Sequence, residues 1–359
     1  MSTSDAAYTT IRQGIVPGYL LARLARSERY PRAAQAARQT LIAGRPAFHA
    51  ALELSIDENG ALVAEVTSAP TRTIFDAQNT ETLPGLVVRT EDDEPVADDT
   101  VNEAFDGLGA TFQMLLDAFE RDSLDGAGAQ LHATVHYGED YDNAFWDGSR
   151  MVFGDGDGEV FVGFTRSVSV IGHELGHGVI QSTAGLVYRD QFGALNESIA
   201  DVLGALTEQH LLGQTADQAS WLVGEGIFTD AVQGRALRSM LEPGTAYDDD
   251  ELGKDPQPAH MRDYVQTVED NGGVHINSGI PNRAFALAAT ALGGHAWEGA
   301  GLAWYRALTG DLLSTADFSE FAEKTITAAA GIGATVESAV RDAWTAVGVI
   351  DGARDRTPR

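Results

Sequence analysis

The sequence predicts an α+β fold in two lobes, the first β-rich and the second α-helical. Three observations predict it. Strand-like stretches at 86–89, 131–136 and 159–164 are confined to about residues 74–165, where turn chemistry such as Gly154-Asp155-Gly156-Asp157-Gly158 separates them. From about residue 167 the pattern becomes helical and Ala-rich. With 359 residues and a 43% hydrophobic fraction, the chain is long enough for two domains, or one large one, with a full core.

In chain order, residues 1–45 read as a basic leader. Arg12, Arg23, Arg26, Arg29, Arg32, Arg38 and Arg45 oppose only Asp5 and Glu28, a net +5, whereas the whole chain carries −29 and the rest therefore −34. Helical turns span 16–45, with Pro31 as an interruption. Residues 46–72 form a hairpin and linker in which 49–68 alternate apolar and polar around Asp57-Glu58-Asn59-Gly60. Residues 73–166 make the β-rich lobe, with one long amphipathic helix at 99–120. Residues 167–350 make the helical lobe, where 284–297 is a buried helix broken by Gly293, Gly294 and His295. Residues 351–359 are a polar tail.

Composition excludes several functions. The acidic body argues against general nucleic-acid binding and against docking on anionic lipid. Only Lys254 and Lys324 are lysines, a bias that fits either a GC-rich genome or a salt-adapted host. There is no cysteine, so disulfides, zinc thiolates and thiol nucleophiles are absent, and metal chemistry must use His and carboxylates. The first 30 residues lack an apolar core of signal-peptide length, and no 18-residue apolar run occurs.

The sharpest motif is His173-Glu174-Leu175-Gly176-His177, within helical periodicity at 167–182. Four residues make about one helical turn, so both imidazoles project from one face and can chelate a metal. Glu174 is rotated by roughly 100° from His173 and can address water instead. A third ligand from an extended metal helix would need His at 183, where Thr183 stands. Asn196-Glu197-Ser198-Ile199-Ala200-Asp201 supplies a carboxylate pair four residues apart in an apolar setting; one can bind metal while the other fixes a histidine tautomer.

These residues closely resemble the thermolysin-like zinc metallopeptidases. Asn143-Ala144-Phe145-Trp146-Asp147-Gly148 resembles that family's substrate-binding edge strand. Residues 270–279, Asp270-Asn271-Gly272-Gly273-Val274-His275-Ile276-Asn277-Ser278-Gly279, resemble its second histidine motif, and Leu237-Arg238-Ser239-Met240 its arginine segment. The resemblance runs from about 74 to 350 and implies a two-lobed fold with the zinc helix between the lobes. It implies one zinc on His173, His177 and Glu197, with Asp201 behind His173 and Glu174 as general base for the zinc-bound water. Tyr188 and His275 would stabilise the oxyanion, with Asp270 orienting His275. Asn143 and the Ala144 carbonyl would hold the substrate backbone, and Arg238 the carbonyl after the scissile bond. Phe161, Phe164, Val170 and Leu237 would line an apolar pocket, implying an endopeptidase that cuts on the amino side of bulky hydrophobic residues of peptide or protein substrates. His132, His136, His210, His260 and His295 match no such role and are expected to be structural.

The sequence departs from the family at two places. Ser169, Ser220 and Leu222 stand where its double calcium site usually has carboxylates, although Glu208 and Glu225 persist. Paired calcium is therefore expected to be absent, with a single weak ion left open. Pro17-Gly18-Tyr19-Leu20-Leu21 and Ala37-Arg38-Gln39-Thr40-Leu41 resemble the short propeptide of protealysin-like peptidases. That implies a self-inhibited zymogen in which Pro17, Tyr19, Leu20 and Leu21 approach the cleft, with cleavage near 45–72 to release it. The leader's charge makes electrostatic docking on the acidic body an expectation, screened by salt over about 8–10 Å. Export without a recognisable signal peptide is expected, with a cytoplasmic role as the alternative. The rival functions are a narrowly specific or toxin-like peptidase acting on one partner, and a non-catalytic pseudoenzyme.

Overall fold

The computed structural model describes residues 14–43 and 69–351. The hairpin expected at 49–68, most of the expected processing region and the tail after 351 lie outside the described residues. The leader forms α1 (Gly18–Leu24) and α2 (Pro31–Ile42). Pro31 opens α2 rather than interrupting a helix, because at the first turn its missing N–H and fixed φ cost nothing. The N–H groups of Arg32 and Ala33, which have no partner within the helix, donate to Glu159 Oε2 at 2.9 and 3.0 Å, so the peptidase lobe caps the leader helix.

The first lobe holds β1 (Arg72–Asp76), β2 (Leu86–Thr90), α3 (Asp99–Phe119), β3 (Leu131–Val135), β4 (Ala144–Trp146) and β5 (Met151–Phe153). The strands form one sheet in the order β2-β1-β3-β5-β4; the β1–β3 and β3–β5 pairs are parallel and the other two antiparallel. β4 is thus an edge strand, and Ala144 and Trp146 use its outer side to hydrogen-bond Ile15 and Glu174. Asp98 caps α3 by accepting from Thr100 N at 3.0 Å, and Val101, Ala104, Phe105, Leu108, Phe112 and Leu115 form its buried stripe.

The strand expected at 159–164 does not form. Asp157 Oδ1 accepts from Glu159 N and Val160 N at 2.6 and 2.7 Å, and Oδ2 from Phe161 N at 3.3 Å, which winds the backbone into a turn. One antiparallel bridge from Phe161 to Phe228 and a 3₁₀ turn at Phe164–Arg166 remain.

The second lobe begins with α4 (Val168–Gln181) and α5 (Asp190–Leu212). Residues 213–269 depart from the helical expectation: they are irregular, apart from the short pairs β6 (Leu222–Val223) with β7 (Arg238–Ser239) and β8 (Asp248–Asp249) with β9 (Gly253–Lys254), and a 3₁₀ turn. Then come α6 (Asp270–Asn277), α7 (Gly279–Leu292), α8 (Leu302–Thr309), α9 (Phe318–Ala330) and α10 (Ala334–Ala346). Among the described residues, no helix is long and apolar enough to cross a membrane.

Close approach of α4 and α5 positions the chemistry. A Cβ at Gly176 would lie 3.0 Å from Ala200 Cα, and one at Gly204 would lie 2.3 Å from the Ser169 carbonyl oxygen. Glycine in a helix costs about 1 kcal/mol relative to Ala; here it lets two helical backbones touch, so that the histidines of α4 reach the carboxylates of α5. One hydrophobic core runs through both lobes and takes in Ile15, Leu20, Leu21 and Leu24 of the leader.

Candidate active site

His173 and His177 lie one turn apart on α4, buried, with their rings turned by different partners. His173 Nδ1 donates to Asp201 Oδ1 at 2.7 Å, and His177 Nδ1 donates to Asn196 Oδ1 at 2.8 Å. The Asn196 amide is itself oriented by donating to the Leu186 carbonyl at 3.0 Å. With both Nδ1 atoms protonated, the two Nε2 lone pairs converge, 3.1 Å apart. Glu197 brings its carboxylate to the same point, 3.6 Å from His173 Nε2 and 3.5 Å from His177 Nε2.

Two ligands about 2.0–2.1 Å from a tetrahedral zinc ion stand about 3.3–3.4 Å apart, so the three side chains fit that ion. Glu197 Oε2 is buried without a hydrogen-bond partner, which also fits a ligand atom. Among the described residues, His173, His177 and Glu197 are the one group of three or more His, Asp and Glu whose ligand atoms converge in this way.

The electrostatics suit cation binding. Burial, and then the neighbouring His173, lower the His177 pKa to about 4, which keeps that imidazole neutral. Burial opposes ionisation of Glu197, but His275, His173 and His177 outweigh it and hold the pKa at about 2. Asp201 is likewise held well below the carboxylate range: burial opposes this, and Arg238 and then His173 overcome it.

Glu174 sits beside this group. Its Oε2 accepts from Trp146 N on β4 at 2.8 Å, while Oε1 is buried and has no partner. Burial raises its pKa to about 7 against the opposing effect of His173. On the other side stands His275, on the kinked helix α6, where Asn271, Gly272 and Gly273 take left-handed angles and turn the chain back on itself. Asp270 Oδ1 accepts from His275 Nδ1 at 2.6 Å. Burial works against protonation of His275, but Glu197 and Asp270 raise its pKa to about 9. The Tyr188 hydroxyl bridges Glu197 Oε1 and His275 Nε2, the latter at 3.2 Å.

Arg238 is buried on β7 and spans two structures. Its Nε and Nη2 donate to Asp201 at 2.9 and 2.8 Å, and its Nη1 donates to the Ile15 carbonyl at 3.1 Å. The leader therefore lies in the cleft. Ile15 N donates to the Ala144 carbonyl at 3.0 Å. Asn143 accepts from Val16 N at 2.9 Å and donates to the Val16 carbonyl at 3.1 Å. His275 Nε2 donates to the Gly14 carbonyl at 3.1 Å. Ile15 is fully buried in the core that also holds Phe161, Phe164, Val170 and Leu237.

The cleft-binding backbone is thus Gly14–Val16, one step before the segment expected from sequence. Pro17 accepts from Leu20 N and starts α1; Leu20 and Leu21 are buried in the core, and Tyr19 hydrogen-bonds Tyr247. Sequence reasoning missed Gly14, Ile15 and Val16, Asn196 behind His177, and Asn282, which donates to Asp201 Oδ2 at 2.8 Å. Only Asn196 carried a local signal, its place beside Glu197. The other histidines stand elsewhere: His136 between Asp98 and Asp155, His210 and His295 against Trp297, His132 against Phe75, and His260 at a 3₁₀ N-terminus. Near α4, Ser169 Oγ accepts from Gly224 N at 3.1 Å, and burial and then Glu225 raise the Glu208 pKa.

Comparison with known proteins identifies the family of the chain. Residues 52–181 match the thermolysin metallopeptidase catalytic domain and residues 184–349 its alpha-helical domain. The chain is 53% identical over 280 residues to an extracellular metalloprotease of Pectobacterium carotovorum subsp. carotovorum, a match covering 77% of this chain and 81% of the relative. It is 52% identical over 282 residues to protease PrtS of a Photorhabdus species, covering 77% and 76% of the two chains. The solved precursor of protealysin, a metalloproteinase from Serratia proteamaculans, superimposes with a TM-score of 0.86 at 48% identity, covering 94% of this chain and 100% of that one. The chain therefore belongs to the thermolysin family of metallopeptidases, in its protealysin-like branch.

Proposed function

We propose that the chain is a zinc-dependent endopeptidase, made as a precursor whose own leader blocks the cleft. The observation that carries this reading is the convergence of His173, His177 and Glu197 beside the unpartnered Glu174 oxygen. The two relatives named as an extracellular metalloprotease and a protealysin precursor support secretion and zymogen synthesis.

His173, His177 and Glu197 would hold the zinc, which when bound polarises the scissile carbonyl and acidifies water at its open position. Glu174 Oε1 takes a proton from the attacking water and returns it to the leaving amine. His275, whose ring Asp270 orients through Nδ1, donates from Nε2 to the oxygen that gains charge. The Tyr188 hydroxyl joins it by exchanging its contact with Glu197, and such a donor is worth roughly 3 kcal/mol of barrier. Asn143, Ala144 and Arg238 fix the substrate backbone, as they fix the leader here. Phe161, Phe164, Val170 and Leu237 favour a bulky apolar side chain after the scissile bond. A narrowly specific or toxin-like role uses the same chemistry on one partner, and no feature of the cleft favours it.

Release of the leader by cleavage within residues 45–72 belongs to the same proposal, as does the absence of paired calcium. Ser169, Ser220 and Leu222 give that region too few carboxylates for six to eight oxygen ligands per ion. Stoichiometric calcium that disappears in Glu208→Ala would contradict this second point. The function itself is tested with a peptide mixture and the processed enzyme. Cuts on the amino side of Leu, Ile, Val and Phe, lost with a chelator and restored by zinc, are expected. Hydrolysis that persists without metal, or no hydrolysis at all, would refute the proposal.

A further inference from the structure

We infer that the leader is bound as a substrate, with Gly14–Ile15 as the bond presented for hydrolysis. The inference rests on the endopeptidase reading above and deepens it, since that reading requires only that the leader obstruct the cleft.

Five hydrogen bonds set direction and register together. Ile15 N to Ala144 O, the two Asn143 bonds to Val16, Arg238 to Ile15 O and His275 to Gly14 O lie between 2.9 and 3.1 Å. Shifting the segment by one residue would break all of them. Arg238 donates to the Ile15 carbonyl and His275 to the Gly14 carbonyl; with the roles proposed above for these two side chains, the bond presented joins Gly14 to Ile15. Ile15 is a bulky apolar residue buried in the same core as Phe161, Phe164, Val170 and Leu237, which is what the position after the bond requires.

The Gly14 carbonyl reaches the reacting centre. His275 Nε2, its donor, lies 3.5 Å from Glu197 Oε2 of the metal-binding group. A Cβ at residue 14 would meet Asn143 Nδ2 at 2.8 Å and the Ala144 carbonyl oxygen at 3.0 Å, so glycine permits the depth. After Val16 the backbone turns helical at Gly18, and among the described residues Gly14–Val16 is the leader segment that hydrogen-bonds Asn143 and Ala144 beside β4.

In the step itself, one water is consumed. Its oxygen bonds to the Gly14 carbonyl carbon, the Gly14–Ile15 C–N bond breaks, and the two products are a carboxylate at Gly14 and an amine at Ile15. The leader from Ile15 onward stays anchored by Leu20, Leu21, Leu24 and the Glu159 cap on α2, so cutting and release are separate events.

The test uses the full-length chain. In the zinc-loaded protein, mass spectrometry over time should show a fragment ending at Gly14 and a new amine terminus at Ile15, at a rate unchanged by tenfold dilution. In full-length Glu174→Gln the Ile15 and Val16 amides should exchange hydrogen at least tenfold more slowly than in the same chain also carrying Ile15→Asp, while the α4 amides exchange equally in both. Processing at other bonds only, with Gly14–Ile15 intact in a protein whose released form cuts peptides, would overturn the inference and leave the endopeptidase reading standing. A released form that cuts no peptide would refute both. Ile15 and Val16 amides exchanging as fast as free chain in Glu174→Gln would also overturn it.

Discussion

Arg238 holds the Ile15 carbonyl at 3.1 Å with the same guanidinium that pairs with Asp201 at 2.8 Å. The leader and the support of the metal-binding histidine therefore share one buried cation. Arg238→Met leaves Asp201 buried with its main counter-charge gone. Removing one partner of such a pair costs about 3–5 kcal/mol, so urea unfolding of the variant should begin at clearly lower denaturant. Arg238→Lys keeps the charge but loses the fork that serves two partners at once. It should fold with a smaller loss and still cut peptides at least tenfold less efficiently. Wild-type kcat/KM in Arg238→Lys would separate the arginine from substrate binding.

Asn196 does for His177 what Asp201 does for His173: it accepts the Nδ1 proton and turns Nε2 towards the shared point. Partners behind metal-binding histidines typically carry 10–100-fold in metal affinity. Asn196→Ala should therefore lose zinc to a competing chelator at about 10–100-fold lower chelator concentration. Unchanged retention of zinc would show that the His177 ring needs no such support.

The leader is held more by packing than by charge. Among the described residues, Arg32 is the leader arginine that pairs with a carboxylate, Asp140 at 2.6 Å, and it is largely exposed. Exposed pairs contribute about 0–1 kcal/mol. Arg23 instead donates to the backbone carbonyls of Glu251 and Asp250. Leu20, Leu21 and Leu24 are buried, and truncating such a side chain costs about 2–5 kcal/mol. Raising salt to about 1 M, where the screening length is roughly 3 Å, should speed leader release by less than about fivefold. Leu24→Ala should speed it by at least about tenfold, as read from the onset of peptide hydrolysis. The reverse order would mean that charge, and not packing, chiefly holds the leader in place.

His136 ties α3 to the loop after β5, with Nε2 on Asp98 and Nδ1 on Asp155, both at 2.9 Å. The hydrogen bond to Asp155 raises its pKa to about 9; burial opposes this and Asp98 adds to it. Because the folded value lies above the unfolded one, the stabilisation is complete below about pH 6.5 and is lost as pH rises through about 9. Solvent reaches Asp98, so the contribution is about 1–2 kcal/mol. The stability difference between wild type and His136→Gln should shrink by that amount between pH 6 and 10. A difference independent of pH would place its origin in packing.

What was legible in the sequence was local. His173 with His177, and Glu197 with Asp201, sit four apart on single helices, so their spacing alone brings each pair to one face. The approach of α4 to α5 was not legible, because it depends on glycine contacts between helices. The strand-like stretch at 159–164 suggested a strand, yet Asp157 captured three successive N–H groups and made a turn. β4 and β5 are three residues each, too short for any period to register. In the leader, the apolar run at Pro17–Leu21 drew attention, whereas Gly14-Ile15-Val16 carries no motif. Only the cleft, assembled from residues 143 to 275, distinguishes it.

The most direct test of the central claim is Glu174→Gln, read for metal content and peptide hydrolysis together. Glutamine keeps the shape of the side chain and can still meet Trp146 N, but it cannot take a proton from water. The variant should hold one zinc per chain, as wild type does, while hydrolysis of a peptide with a bulky apolar residue after the scissile bond falls by at least about a hundredfold, within the range general-base catalysis supplies. One zinc with an unchanged rate would contradict the assignment of Glu174 and, with it, the account of how this cleft cuts peptides.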